Sequence, residues 1–176
     1  MLSAKEYFSM YHKVRMLIHI YFIWKFLIYT FTVFGAPRSL KNQNPFDVDI
    51  VFVMDSTASM GHYIQDVKAH ISEMAKDIVD KFLNCTVRVG FVGYRDFTEG
   101  KRRLETLNLT NQTDEFTEFV GKIKAYAGGD VPEDVLGGLN QALDLNWEAK
   151  NRIIFHIGIY HYHSQYFSWI LLSKET

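Results

Sequence analysis

The chain has 176 residues, of which 48% are hydrophobic, and a formal net charge of −1 at pH 7. That hydrophobic content supplies the core of one ordinary domain and excludes a disordered chain. The charge is unevenly divided, because residues 1–45 carry +5 and residues 46–176 carry −6. An acidic domain lacks the basic patch of a nucleic-acid binder, so no nucleic-acid partner is expected. The single cysteine, Cys85, excludes an intrachain disulfide.

Residues 16–34 form an almost wholly apolar run flanked by basic residues. The run fits a signal peptide or a membrane anchor of about 20 residues. Lys25 in its middle opposes membrane insertion by roughly 2.5–3.5 kcal/mol, and a third interpretation is an apolar extension packed on the domain. We assign residues 1–45 to a signal- or anchor-like segment with its linker. Membrane contact through 16–34 and a secreted or membrane-anchored protein are expected, with a cytoplasmic location if the run is not a targeting signal.

Strand and helix patterns alternate through the following residues. Residues 48–54 form a nearly continuous apolar run rich in β-branched residues, which predicts a strand buried on both faces. Residues 62–83 place apolar side chains three and four positions apart, which predicts an amphipathic helix. Residues 86–92 and 104–109 predict two further strands that can close as a hairpin.

Two shorter helices and a last strand complete the pattern. Thr113 is the predicted N-cap of a helix that ends near Gly128. Pro132 opens the next helix, and residues 152–157 predict a buried strand. The predicted buried face of the second helix comprises Val135, Leu136, Leu139, Ala142 and Leu143.

The element order β-α-β-β-α-α-β predicts an α/β fold. Long helical connections imply crossovers, and therefore a mostly parallel sheet with helices on both faces. The hairpin places one antiparallel strand at an edge. Ligand sites of such sheets lie at the carboxyl ends of the strands, where Asp55 directly follows the first strand.

The loop from Asp55 to Ser59 carries oxygen ligands at alternate positions. Asp55, Thr57 and Ser59 can converge on one point if the loop curls. Mg²⁺ prefers oxygen ligands and keeps several waters. One carboxylate and two neutral hydroxyls leave such an ion positively charged with open positions, which a partner's carboxylate could fill. The structural alternative is that Asp55 ends the strand and Ser59 caps the long helix.

A second loop, residues 128–139, combines a double glycine with three acids at a predicted helix start. Asp130 and Glu133 are its candidate metal ligands. The structural alternative places Asp130 at the N-cap, with Pro132 and Glu133 in the first turn. Capping explains any one of these acids, but not the recurrence of a glycine-acid loop in this order.

Four sequence blocks together resemble the von Willebrand factor A-type (vWA) domain. Residues 49–64 resemble the first strand of that family and its Asp-x-Ser/Thr-x-Ser metal-ion-dependent adhesion site. Residues 87–97, 128–143 and 152–157 resemble, more narrowly, the vWA domains of some alpha-kinases and related proteins. The resemblance implies a Rossmann-like fold over residues 46–158.

The same resemblance implies a Mg²⁺- or Mn²⁺-dependent module that binds a protein ligand offering a carboxylate and has no enzymatic activity. Asp55, Thr57 and Ser59 match the first-loop metal ligands of the family. Many vWA domains add a threonine from the second loop. This chain has Asp130 and Glu133 in that loop, and either could ligate directly or through water.

Two features depart from the family pattern. The third loop of the family carries an aspartate that contacts the metal, whereas Ile159 stands at that position here. The family also continues with further helix-strand units, whereas residues 159–176 form an aromatic tail. We therefore expect a C-terminally truncated domain without its last strands. Either the C-terminus comes from a truncated or altered gene product, or the tail and the N-terminal apolar run cover the open sheet edge. A truncated, non-functional remnant is the alternative function.

A third and weaker candidate is a haloacid-dehalogenase-like phosphoryl-transfer enzyme. Such enzymes begin their site with an acid after the first strand, but they carry a second aspartate where this chain has Thr57. The glycine-rich nucleotide fingerprints and the Gly-x-Ser-x-Gly motif are absent from the sequence. His156, His161 and His163 are interpreted as incidental rather than as a metal site.

Overall fold

A computed structural model of the protein describes residues 47–81, 85–128, 133–160 and 164–172. The predictions for residues 1–45 and for Asp130 lie outside these residues, as do His161 and His163. The described strands are β1 (Val48–Asp55), β2 (Val87–Tyr94), β3 (Leu104–Thr110), β4 (Asn151–Tyr160) and β5 (Ser164–Leu172). The described helices are α1 (Ile64–Lys81), α2 (Thr113–Lys122) and α3 (Val135–Leu143), with 3-10 helices at Ala58–His62 and Phe97–Arg102.

The strands form one sheet in the order β3-β2-β1-β4-β5. Strand β1 runs parallel to β2 and to β4, while β3 and β5 lie antiparallel at the two edges. Every residue of β1 and β2 is buried, as the apolar runs predicted for strands covered on both faces. The predicted α/β fold and the predicted hairpin of β2 with β3 are confirmed.

Helices cover both faces of the sheet, so the core has two layers. Alternate residues of a strand point to opposite faces. Ile50, Phe52 and Met54 accordingly pack in a cluster with buried residues of α1 and α2. Val51 and Val53 pack in a second cluster with α3.

Three predicted helix boundaries are wrong. Helix α1 begins at Ile64 rather than near residue 62, because the chain first makes the 3-10 turn. Helix α2 ends at Lys122, because Ile123 is extended with φ −62° and ψ 133°. Its N-cap is Gln112 rather than Thr113, which already lies inside the helix.

The predicted buried face of α3 is only partly right. Ala142 is buried, but Leu136 is 74% exposed and Leu143 is 51% exposed. The helix packs through Gly138, on which a Cβ atom would lie 2.9 Å from Cδ1 of Tyr94. The contact line therefore runs through positions 135, 138 and 142, and the two exposed leucines lie on a neighbouring line of the helix.

The backbone of the aromatic tail takes part in the sheet. Residues 159 and 160 continue β4, and β5 pairs with β4 along nine residue pairs, from Arg152 with Leu172 to Tyr160 with Ser164. The hypothesis that the tail covers the open sheet edge requires the tail to pair with β4 in this way. Within the described residues no helix is long and apolar enough to cross a membrane.

Candidate metal-binding site

The first loop brings its three predicted ligand residues to the carboxyl end of β1. The backbone N–H of Thr57 donates to Oδ1 of Asp55 at 2.8 Å. Oγ1 of Thr57 and Oγ of Ser59 lie 2.8 Å apart and share a hydrogen bond. Asp55 and Thr57 are 0% and 1% exposed, whereas Ser59 is exposed. The three side chains therefore lead from the interior to the surface.

Backbone hydrogen bonds fix the curl of this loop. The Ser56 N–H donates to the Tyr94 carbonyl at 2.9 Å, and the Met60 N–H donates to the Thr57 carbonyl at 3.1 Å. The buried Met60 side chain anchors the resulting 3-10 turn. Ser59 lies inside that turn, which separates it from α1. The alternative in which Ser59 caps the long helix is therefore wrong.

The segment that leads into the second loop, residues 123–128, packs directly against the first loop. The Ala58 N–H donates to the Ala127 carbonyl at 2.6 Å, and the Tyr126 N–H donates to the Ser56 carbonyl at 3.2 Å. Gly128 has a φ of 107°, and a Cβ atom there would lie 3.3 Å from Cβ of Thr57. Glycine suits both the left-handed backbone and this close approach.

The far side of the second loop starts helix α3. Its N-cap is Asp134, whose Oδ1 accepts from the Gly137 N–H at 2.8 Å. The alternative in which Asp130 caps this helix is therefore wrong, although Asp130 itself lies outside the described residues. Glu133 is half-buried and pairs with Asp96 in an isolated β-bridge.

The negative charges of two candidate metal ligands act on the buried phenol of Tyr94. The pKa of Tyr94 is strongly raised, first by burial, then by the negative charge of Asp55, and then by that of Glu133. Glu133 lies at the same end of the sheet as the first loop, because it pairs with Asp96 just beyond the carboxyl end of β2. Its role as a metal ligand stays a prediction.

At the third-loop position the chain continues as strand β4 and has no acidic residue. Strand β4 pairs with β1 as far as Met54 with Ile157, so Gly158 lies beside Asp55. A Cβ atom on Gly158 would lie 3.5 Å from Cβ of Asp55 and 3.0 Å from Oη of Tyr94. The glycine leaves room there for the phenol, and Ile159 continues the strand.

Sequence analysis missed the pairing of Tyr94 with His156. The phenol Oη and the imidazole Nε2 lie 2.8 Å apart. Burial lowers the pKa of His156 and raises that of Tyr94, so both side chains are neutral near pH 7. A period-two signal was present, because His156 and Gly158 lie on the same face of β4. That signal shows which face of β4 the two residues share, but it does not identify Tyr94 as the contact of His156.

The donor chemistry of the first loop fits a hard divalent cation. One carboxylate and two hydroxyl oxygens are ligands of the kind that Mg²⁺ and Mn²⁺ prefer. Among the described residues no group of three His, Cys, Asp or Glu side chains could hold a metal. A cation at this end of the sheet would therefore depend on the hydroxyls of Thr57 and Ser59 as well as on Asp55.

One family model and two protein sequences match the central part of the chain. A family model described as von Willebrand factor A domain matches residues 49–156. The alpha-protein kinase vwkA of Dictyostelium discoideum is 34% identical over 111 residues, which cover 62% of this chain and 18% of the kinase. The putative ariadne-like RING finger protein R811 of Acanthamoeba polyphaga mimivirus is 26% identical over 107 residues, which cover 61% of this chain and 10% of that protein.

A solved structure also shows similarity. It is that of the pilus adhesin SpaC from Lactobacillus rhamnosus GG in an open conformation, with 20% identity and a TM-score of 0.39. The match covers 50% of this chain and 12% of the adhesin. The chain thus spans less than a fifth of the length of each relative named here.

Proposed function

The chain belongs to the von Willebrand factor A domain family, and on that premise we propose that it is a metal-ion-dependent protein-binding module. The observation that carries the proposal is the first loop, in which a buried Asp55 carboxylate lies next to the hydrogen-bonded hydroxyls of Thr57 and Ser59. The exposure of Ser59 gives this group an opening to the surface.

We propose Mg²⁺ or Mn²⁺ as the ion, held by Asp55, Thr57 and Ser59, with Asp130 or Glu133 adding a direct or water-mediated contact. Where Asp130 or Glu133 contacts it only through water, a bound divalent cation would keep residual positive charge and an open coordination position, because the Asp55 carboxylate alone neutralises only part of its charge. The proposed partner is therefore a protein that offers a carboxylate to this end of the sheet.

We propose further that the domain is not an enzyme. One relative is named as a kinase, but the match to this chain covers only 18% of that relative. So small a share does not carry the kinase activity over to this chain.

For residues 16–34, which lie outside the described residues, we propose a membrane-directed role in a secreted or membrane-anchored protein. Alkaline extraction of cell membranes would test this, because release of the full chain would argue against an anchor.

A thermal melt of the full chain with Mn²⁺ or Mg²⁺ titrated in, compared with EDTA, tests the proposed function. A ligand that binds only the native state stabilises it by RT ln(1 + [L]/Kd), which is about 2.7 kcal/mol at 100 times Kd. We expect a concentration-dependent rise in Tm that Asp55→Ala abolishes. The matched control is Glu148→Ala, whose carboxylate is exposed at the opposite end of the sheet, and it should respond like the wild type.

A cooperative melt that ignores both ions would contradict metal dependence and leave a folded vWA-like scaffold without its metal site. No cooperative melt at all would favour the alternative, a truncated, non-functional remnant. Acetate provides a second measurement for the partner class. Added at constant ionic strength, it should tighten Mn²⁺ binding to the wild type, because it can fill an open coordination position. Equal Mn²⁺ affinity in acetate and in chloride would argue against a carboxylate ligand.

A further inference from the structure

Arg95 is a completely buried arginine at the end of β2 that contacts several segments at once. Its Nη2 donates to Oε2 of Glu105 at 2.6 Å and to the Lys124 carbonyl at 2.8 Å, and its Nη1 donates to the Arg102 carbonyl at 3.2 Å. Its guanidinium carbon also lies 4.0 Å from the centroid of the Tyr126 ring. The planar fork of arginine can make such bonds and stack on a ring simultaneously, which lysine cannot.

The backbone of Arg95 also contacts Asp134, at the start of α3. Its carbonyl accepts from the Asp134 N–H at 3.0 Å, and its own N–H donates to the Arg103 carbonyl at 2.9 Å. Arg103 in turn lies with Nε 2.8 Å from Oδ2 of Asp134. The segment before the second loop and the N-cap of α3 are thus both attached to the segment that follows β2.

These contacts continue directly into the first loop. Lys124 and Tyr126, which the Arg95 side chain holds, precede Ala127, whose carbonyl accepts from the Ala58 N–H at 2.6 Å. The Tyr126 N–H donates to the Ser56 carbonyl at 3.2 Å. Only one residue separates Ser56 and Ala58, and that residue is the candidate ligand Thr57.

We propose that Arg95 is a positioning residue that holds residues 124–127 against the first loop and thereby sets the place of Thr57. The guanidinium binds the Lys124 carbonyl and stacks on the Tyr126 ring. Residues 126 and 127 in turn hydrogen-bond to the backbone on both sides of Thr57. The consequence for metal affinity rests on the proposed function, whereas the consequence for loop geometry does not.

Strand β2 also supplies a matched control. Arg88, at the other end of the strand, is 8% exposed and makes a comparable fork to a buried carboxylate, with Nε 2.9 Å from Oδ1 and Nη2 2.7 Å from Oδ2 of Asp49. Its bonds lie at the amino end of the sheet, away from both loops. A variant of Arg88 therefore removes a buried arginine without touching the contacts of Arg95.

The test compares Arg95→Met, Arg95→Lys and Arg88→Met in the full chain by amide hydrogen exchange in metal-free buffer and by Mn²⁺ titration. We expect exchange of the Ala58 and Tyr126 amides to accelerate about tenfold or more in both Arg95 variants, relative to β1 amides of the same variant. Arg88→Met should leave that ratio unchanged. Mn²⁺ affinity should fall about 10- to 100-fold in the Arg95 variants, the usual effect of losing a group that orients metal ligands.

Arg95→Lys separates positioning from simple charge burial. It restores a cation near Glu105, so its Tm should recover in part while the two loop amides still exchange fast. Full rescue of both amides by lysine would overturn the proposal, as would unchanged exchange in Arg95→Met. If Arg95→Met does not fold, Tyr126→Leu carries the test, because it removes the stacked ring and leaves the ion pair with Glu105.

The two proposals fail in distinguishable ways. If the wild type binds no Mn²⁺ while the Arg95 variants still loosen the Ala58 and Tyr126 amides, the metal-binding function is wrong and the positioning role stands. If the wild type binds Mn²⁺ and the Arg95 variants bind it equally well with unchanged exchange, the positioning role is wrong and the metal-binding function stands.

Discussion

The two ends of β1 each carry a buried aspartate, and the groups around these two side chains differ. Asp49, near the amino end, accepts from two nitrogens of Arg88 and from the backbone amides of Glu148 and Ala149, at 2.7 to 2.9 Å. Asp55, at the carboxyl end, accepts from the Thr57 amide and lies beside a pair of hydroxyls. Both carboxylates are 0% exposed.

The contrast shows that burial and charge alone do not distinguish a structural carboxylate from a candidate metal ligand. At the amino end a guanidinium neutralises Asp49 and uses both of its oxygens, which suits a structural ion pair. At the carboxyl end the Thr57 amide, which donates to Oδ1 of Asp55, is neutral and does not cancel the charge of the carboxylate. The types of donor within reach separate the two roles.

The largest expected effect is on the amino end. Asp49→Ala removes one partner of a buried ion pair and leaves Arg88 uncompensated, which costs about 3–5 kcal/mol. Urea unfolding of the wild type and the variant measures this loss of stability. Where the variant remains folded, its Mn²⁺ affinity should equal that of the wild type, because the site is at the other end of the strand.

Glu148→Ala is the control for that experiment. Its side chain is 72% exposed and contacts Arg88 at 2.7 Å, so it should cost less than about 1 kcal/mol, as exposed ion pairs do. A similar loss in the two variants, or a loss of metal binding in Asp49→Ala alone, would remove the distinction between the two ends of the sheet.

An intermediate effect is expected where α3 packs on the carboxyl end. Gly138→Ala would place Cβ 2.9 Å from Cδ1 and 3.1 Å from Cβ of Tyr94, and overpacking of this kind costs about 1–3 kcal/mol. Gly121→Ala is the matched control, because nothing lies within 4 Å of its added Cβ. It should stabilise by about 0.5–1 kcal/mol. Chemical denaturation of both variants checks the opposite signs, and a gain in Gly138→Ala would contradict the tight packing.

The fold could be predicted well because its signal is local. The apolar run of β1 and the helical spacing of α1 are properties of neighbouring residues, and they placed these elements correctly except at their ends. Asp55, Thr57 and Ser59 could be singled out for the same reason, since they share one short loop. The start of α1 was misplaced because the intervening 3-10 turn depends on Met60 entering the core.

The remaining site features depend on contacts between distant segments. The spacing between His156 and Tyr94 is 62 residues, and only the parallel register of β1 with both β2 and β4 brings their side chains together. The contacts of Arg95 likewise join β2 to residues 124 and 126, which no local periodicity encodes. Leu136 was wrongly predicted to be buried. Helix α3 packs on Tyr94 through Gly138, so the side of the helix that carries Leu136 faces away from the core.

The smallest expected effect is a pH dependence that belongs to the carboxyl end. Burial lowers the folded-state pKa of His156 below its usual value near 6.5. Above pH 6.5 the imidazole is neutral in both states, so the stability that it contributes is fully present. As the pH falls below 6.5 the unfolded state binds the proton first, and that contribution is lost until the folded pKa is reached.

A comparison of the wild type with His156→Gln by urea unfolding at pH 7.5, 6.5 and 5.5 measures this contribution. Their difference in unfolding free energy should shrink towards acid, with a slope of at most about 1.4 kcal/mol per pH unit for one group. Gly121→Ala changes no titratable group, and nothing lies within 4 Å of its added Cβ. The difference between wild type and Gly121→Ala should therefore stay constant over this range. A parallel slope in both comparisons would mean that the acid sensitivity is not local to His156.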